Sequence, residues 1–116
     1  MIVFGIYYHR MSDKTHILQM IKDSVLQTEP GAIVILYGSY ARGEEREDSD
    51  IDILVLIDSD KEKITRNEKI KITYPICDIE LVTGTIISPV VYSKKGWAKH
   101  RVTPYYENVN REGIVL

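Results

Sequence analysis

Apolar residues recur along the chain in two different periods, and the changes between them mark the expected elements. Ile17, Leu18, Ile21, Val25 and Leu26 fall at steps of three and four, the spacing that lines one face of a helix. Ser12 or Asp13 can cap its start, and Glu29-Pro30-Gly31 ends it. Ala32 to Tyr37 is nearly all apolar and β-branched, as expected of a strand covered on both faces. Gly38 permits a tight turn, and a short helix is expected from Ser39 to about Glu45. Glu44 to Asp48 carries little to bury and reads as a solvated connection, after which a second apolar run, Ile53 to Ile57, leaves from Asp50-Ile51-Asp52.

Further on, Asp58-Ser59-Asp60 offers caps for a helix from about Lys61 to Ile72, anchored by Ile64, Ile70 and Ile72 and stopped by Tyr74-Pro75. Ile76 to Val82 is expected as a third strand, with Asp78, Glu80 and Val82 on one face and Cys77, Ile79 and Leu81 on the other. Thr83-Gly84 is a turn signal, and Thr85 to Tyr92 reads as a fourth strand. Pro89 cannot donate to a ladder, so that strand belongs at an edge or is interrupted. Ser93 can cap a turn of helix through Trp97 and Lys99, and Pro104 suits the first position of a final helix ending near Gly113. This order predicts an α/β (α+β) fold, a mixed sheet of about four strands flanked by helices.

At 116 residues the chain is expected to form a single domain, 1–116. Met11-Ser12-Asp13 looks like a natural start, so residues 1–10 are expected to be an optional or disordered extension. An apolar fraction of 44% with 28% charged residues is that of a soluble globular protein. The net charge of -2 gives no general basic footprint and argues against an extended nucleic-acid surface. Cys77, the one cysteine, excludes an internal disulfide, fits a reducing cytoplasm and reads as a buried small hydrophobe. Met1 to Tyr8 lacks the basic flank and cleavage site of a signal peptide and is too short to span a bilayer, so no membrane association is expected.

The candidate chemistry sits between the first two strands. Strand side chains alternate, so Asp50 and Asp52 project to the same side. Two like charges repel, and a bound cation is the physical reason to gather them. Mg²⁺ takes oxygen ligands, usually one or two carboxylates completed by substrate phosphates. The chain has neither Gly-x-x-x-x-Gly-Lys-Ser/Thr nor Gly-x-Gly-x-x-Gly, which removes the P-loop and dinucleotide readings.

Gly38-Ser39, ten intervening residues and Asp50-Ile51-Asp52, with Ala41-Arg42-Gly43 and Ser49 between, resemble the signature of the minimal nucleotidyltransferases, small members of the DNA polymerase beta superfamily. The likeness covers residues 32–57. It implies a Mg²⁺-dependent transfer of a nucleoside monophosphate, AMP from ATP in the first instance, to an acceptor hydroxyl with release of pyrophosphate. Asp50 and Asp52 would hold metal, and Gly38 and Ser39 would hold the triphosphate. The family also uses a third carboxylate on a neighbouring strand, for which Asp78 is preferred and Glu80 is the alternative. Arg42, one helical turn beyond Ser39, reads either as a triphosphate contact or as a solvated arginine paired with Glu45 or Glu47.

Short free-standing domains of this family are often antitoxins that adenylylate a HEPN-type ribonuclease toxin on a tyrosine, and such a partner is the implied acceptor. The alternatives are an aminoglycoside-type small-molecule enzyme, which would need a homo-oligomer to wall its pocket, and a non-catalytic partner-binding module. Lys94-Lys95, Lys99 and Arg101 near Trp97 read as packing and solubility residues. His9, His16 and His100 lack metal-ligand spacing, and Tyr105-Tyr106 read as core residues.

Overall fold

The computed structural model describes residues 14–116 with their side chains, and the start of the first helix at Ile2 without them. The side chains of residues 1–13, with the expected extension at 1–10, lie outside those described; α1 runs through Ser12 and Asp13, so neither caps its start as expected. Helix α1 (Ile2–Thr28) leads to β1 (Ile33–Tyr37), the short α2 (Ser39–Arg42) and β2 (Ile51–Ile57). Then come α3 (Arg66–Thr83), β3 (Ile87–Ser93), α4 (Lys94–Ala98), α5 (Pro104–Glu112) and β4 (Ile114–Val115). The sheet order is β3-β2-β1-β4. It is mixed, as expected, because β1 runs antiparallel to β2 and β4 while β2 and β3 are parallel.

The pleat divides the apolar residues of the sheet between two cores. Val34, Leu36, Ile51, Ile53, Val55, Ile57, Ile87 and Val91 pack with Ile17, Ile21 and Val25 of α1 and Ile72, Ile76 and Ile79 of α3. On the other face Leu54 and Leu56 meet Trp97 of α4 and Val109 of α5, with Ile33, Ile35, Tyr37, Val90, Tyr92, Tyr105 and Tyr106 packed around them. Both faces are therefore covered, as the unbroken apolar runs of β1 and β2 require. Burying each such side chain contributes about 1.5–3 kcal/mol. The even-numbered positions of β2 face α4 and α5, and Asp52 shares that side.

Ile76 to Val82 is not a strand. It is the second half of α3, which runs through Pro75. Burial falls on Ile72, Ile76 and Ile79, a helical stripe against α1, whereas Cys77 is exposed and Leu81 is 83% exposed. Cys77 is accordingly not the buried hydrophobe expected. Proline inside a helix costs about 3 kcal/mol, and the stripe of three buried isoleucines more than offsets it. The helix also starts later than expected, at Thr65 rather than Asp58-Ser59-Asp60. Thr65 Oγ1 accepts from the Glu68 amide at 3.1 Å and Glu68 Oε1 accepts from the Thr65 amide at 3.3 Å, a capping box legible in Thr65-Arg66-Asn67-Glu68. The helix ends at Gly84 in the left-handed conformation.

The expected fourth strand is present as β3, and with Pro89 it forms one edge of the sheet. The place beside β2 expected of Ile76 to Val82 is taken by β3, and the fourth strand is β4, whose Val115 and Ile114 pair with Ile35 and Leu36 on the outer side of β1. If α3 is helical through this region, Ile76→Ala should cost about 2–5 kcal/mol in chemical denaturation. Leu81→Ser should change stability by less than about 0.5 kcal/mol. A strand would invert that order.

Candidate functional site

Strand β1 delivers the chain to Gly38, which has φ +76° and ψ −156° and hands it to α2. Glycine is required here twice over. The backbone lies in the region side chains rarely adopt, and a Cβ at position 38 would collide with Asp52 Oδ2. The Asp52 carboxylate thus lies directly against the bend. Asp52 pairs with Tyr37 on β1 and with Ser88 on β3. Asp50, exposed just before β2, accepts a 3.4 Å hydrogen bond from Ser88 Oγ. Ser39 opens α2 and is half-buried.

Burial pushes the Asp52 carboxyl above its ordinary range; the nearby Asp50 charge adds to this, Arg42 opposes it, and Glu112 adds a little more. Tyr37 beside it is also raised, chiefly by burial, and its hydroxyl accepts from Tyr105 Oη at 2.9 Å. A half-buried carboxylate beside a second, exposed one is an electrostatically unfavourable pair that a cation would relieve.

Arg42 is paired, although not with Glu45 or Glu47. Its Nε donates to Glu44 Oε2 at 3.2 Å, and its Nη1 donates to Glu112 at 3.0 and 3.2 Å. Glu112, the last residue of α5, also accepts from the Gly38 amide at 3.2 Å. Glu45 instead pairs with Lys14 of α1. Glu112 is the site residue that sequence reading missed. Its contact with Gly38 spans 74 positions, and no local pattern announces a pairing at that range.

Asp78 and Glu80 are on α3 and not on a strand beside β2. Asp78 is exposed, and Glu80 Oε2 accepts from the Ile87 amide at 3.1 Å. Among the described residues no three His, Cys, Asp or Glu side chains come together as a metal site. Neither acid therefore completes the expected trio with Asp50 and Asp52. The position opposite Asp52 on β3, where a neighbouring-strand carboxylate would fall, is Ser88.

The nucleotidyltransferase domain family model matches residues 18–103, which take in the bend, both aspartates and all of α3 and β3. The chain belongs to this nucleotidyltransferase family. Two relatives from Methanocaldococcus jannaschii are named as protein adenylyltransferases. MJ0141 is 46% identical over 61 residues, which are 53% of this chain and 59% of that protein. MJ0604 is 37% identical over 84 residues, 72% of this chain and 75% of that one. The crystal structure of a toxin-antitoxin with AMP-PNP shares the fold at a TM-score of 0.60 and 18% identity, covering 84% of this chain and 69% of its own.

The remaining candidates lie apart from the Gly38 bend. Lys94 pairs with Asp58 at 2.7 Å, Lys99 with Glu62 at 2.6 Å, and Lys95 donates to the Asp60 carbonyl at 3.3 Å. These lysines fasten loops at the far end of β2 and β3. His100 packs against Tyr92, with ring centroids 4.9 Å apart and the rings tilted by 60°, and His16 is exposed. His9 lies outside the described side chains. A cavity of about 470 Å³ opens between Ile64, Lys69, Val91, Tyr92 and Gly96, again at the end opposite the aspartates. No described helix is long and apolar enough to cross a membrane.

The raised Asp52 carboxyl makes its ionisation a cost to the fold. That cost is absent below the ordinary value of 3.8 and grows as pH rises through the raised one. Asp52→Asn should therefore raise the thermal midpoint at pH 7 by about 2–4 °C, the equivalent of about half a kcal/mol in a domain of this size. The gain should shrink as pH falls toward 3.8. Gly38→Ala should lose at least about 1 kcal/mol, read as a lower denaturation midpoint.

Proposed function

We propose that this domain transfers a nucleoside monophosphate, AMP from ATP first, to a hydroxyl on a protein. The observation that carries the reading is the placement of Asp50 and Asp52 at one end of β2, with the Asp52 carboxylate against the Gly38-Ser39 bend. The donor set fits Mg²⁺: two hard carboxylate oxygens are present, and substrate phosphates customarily supply others. When bound there, the ion would neutralise charge on the phosphates during the in-line displacement.

The residues of this chain do the rest. The bend, lacking a Cβ at Gly38, lets the triphosphate approach the backbone, and the Ser39 hydroxyl donates to it. The acceptor oxygen forms a bond to the α-phosphorus as the bond to the leaving pyrophosphate breaks, and the hydroxyl proton passes to solvent water at the exposed Asp50 side. Asp50 stands at a face open to solvent, so a partner can bring its own hydroxyl to the phosphorus. The names of the relatives as protein adenylyltransferases, and of the structural neighbour as a toxin-antitoxin with AMP-PNP, support a protein acceptor. A tyrosine on a HEPN-type toxin is the acceptor we favour.

Incubation with α-labelled ATP, Mg²⁺ and the protein encoded beside this one should label that protein on tyrosine. Asp50→Asn and Asp52→Asn should each reduce the rate at least about 10³-fold, and omission of Mg²⁺ should abolish it. Transfer that survives either substitution, or labelling only of a small hydroxyl compound added in place of the protein, would overturn the reading.

A further inference from the structure

Glu112 is held against the Gly38 bend. One backbone donor, the Gly38 amide, and one guanidinium, that of Arg42, converge on a single carboxylate at 3.0 to 3.2 Å. A guanidinium with a backbone N–H is an arrangement that suits a phosphoryl oxygen as well as a carboxylate. The Glu112 side chain is only 16% exposed. It also lies close enough to Asp52 to disfavour the charge there. A third acid beside Asp50 and Asp52 is an electrostatic cost, and the two donors are what retain it.

Nothing in the backbone must unfold for this contact to open. Glu112 is the last residue of α5, and the chain after it is separately fixed. The Gly113 amide bonds the Val109 carbonyl at 2.7 Å, the Leu116 amide bonds the Val34 carbonyl at 2.9 Å, and β4 is paired to β1. A change of side-chain rotamer is sufficient to withdraw the carboxylate.

We propose that Glu112 is a resident anion in the phosphate subsite and sets nucleotide affinity by competing with the triphosphate for the Gly38 amide and the Arg42 guanidinium. This rests on the reading of Gly38-Ser39 as the triphosphate grip. Glu112 is thereby a positioning residue. It keeps Arg42 turned to the bend while the site is empty, and it must yield when an anion of higher charge arrives. Loss of its charge lowers the concentration of nucleotide needed without touching the reacting atoms.

The test is calorimetric titration of Mg²⁺-ATP, and separately of inorganic tripolyphosphate, into wild type, Glu112→Gln and Glu107→Gln. Glu107 sits at the exposed start of α5, so the last variant carries the same change in net charge away from the site. Glu112→Gln should bind both ligands about tenfold more tightly, the size of one charge-assisted hydrogen bond. Its KM for ATP should fall by a similar factor with kcat within about twofold, while Glu107→Gln should match wild type. Should Glu112→Gln lower the thermal midpoint too far to titrate, Glu112→Asp, which keeps the charge but shortens the reach, should show the same direction. Affinity that is unchanged or weaker in the Glu112 variants, with wild type still binding ATP, overturns this proposal alone. Absence of binding to either ligand in every form overturns the nucleotide reading together with it.

Discussion

The site depends on a carboxylate pressed against a glycine. Asp52 occupies space that any side chain at position 38 would need, so the distance between the Gly38-Ser39 bend and the acidic strand is set by direct contact. The antiparallel pairing of Tyr37 with Asp52 holds the two strands in that register. Because the strand continues into the buried Ile53 to Ile57, a slip of one residue would turn Asp52 into one core and leave an isoleucine at the bend. The stability of the core and the placement of the charge are therefore one constraint. The acid is held, partly out of water and beside another acid, in a place it would not choose for itself.

Much of this was legible in the sequence. The run from Ala32 to Ile57 contains its own strand, turn, short helix and strand, and each local preference agrees with the observed element. Ser93 caps the helix that follows it, and Pro104 stands at the first position of α5. The failure at Ile76 to Val82 has a specific cause. Ile76, Ile79, Leu81 and Val82 are rich in β-branched residues, and Pro75 is a helix-stopping signal. Only the two faces of burial, one against α1 and one open, distinguish the helix, and that distinction depends on residues more than fifty positions away. Asp58 and Asp60 are also good cap residues, and the capping box at Thr65 and Glu68 is what starts the helix.

What the sequence could not supply is the long-range part of the site. The third acid sought beside Asp52 is replaced on β3 by Ser88, while an acid from α5 comes to the bend from the other direction. Neither follows from spacing. The short β4, which completes the sheet and fixes the chain beyond Glu112, has two residues and no recognisable period. Its formation reflects the open edge of β1, where unpaired backbone groups accept whatever extended segment arrives.

The outer side of β3 has the opposite character. Pro89 has no N–H to offer, and the amide of Ile87 is already taken by the carboxylate of Glu80. The first half of this margin thus presents no backbone donor to a strand from another molecule. An acid sought as a catalyst serves instead to seal the seam along which copies of the protein would otherwise zip together.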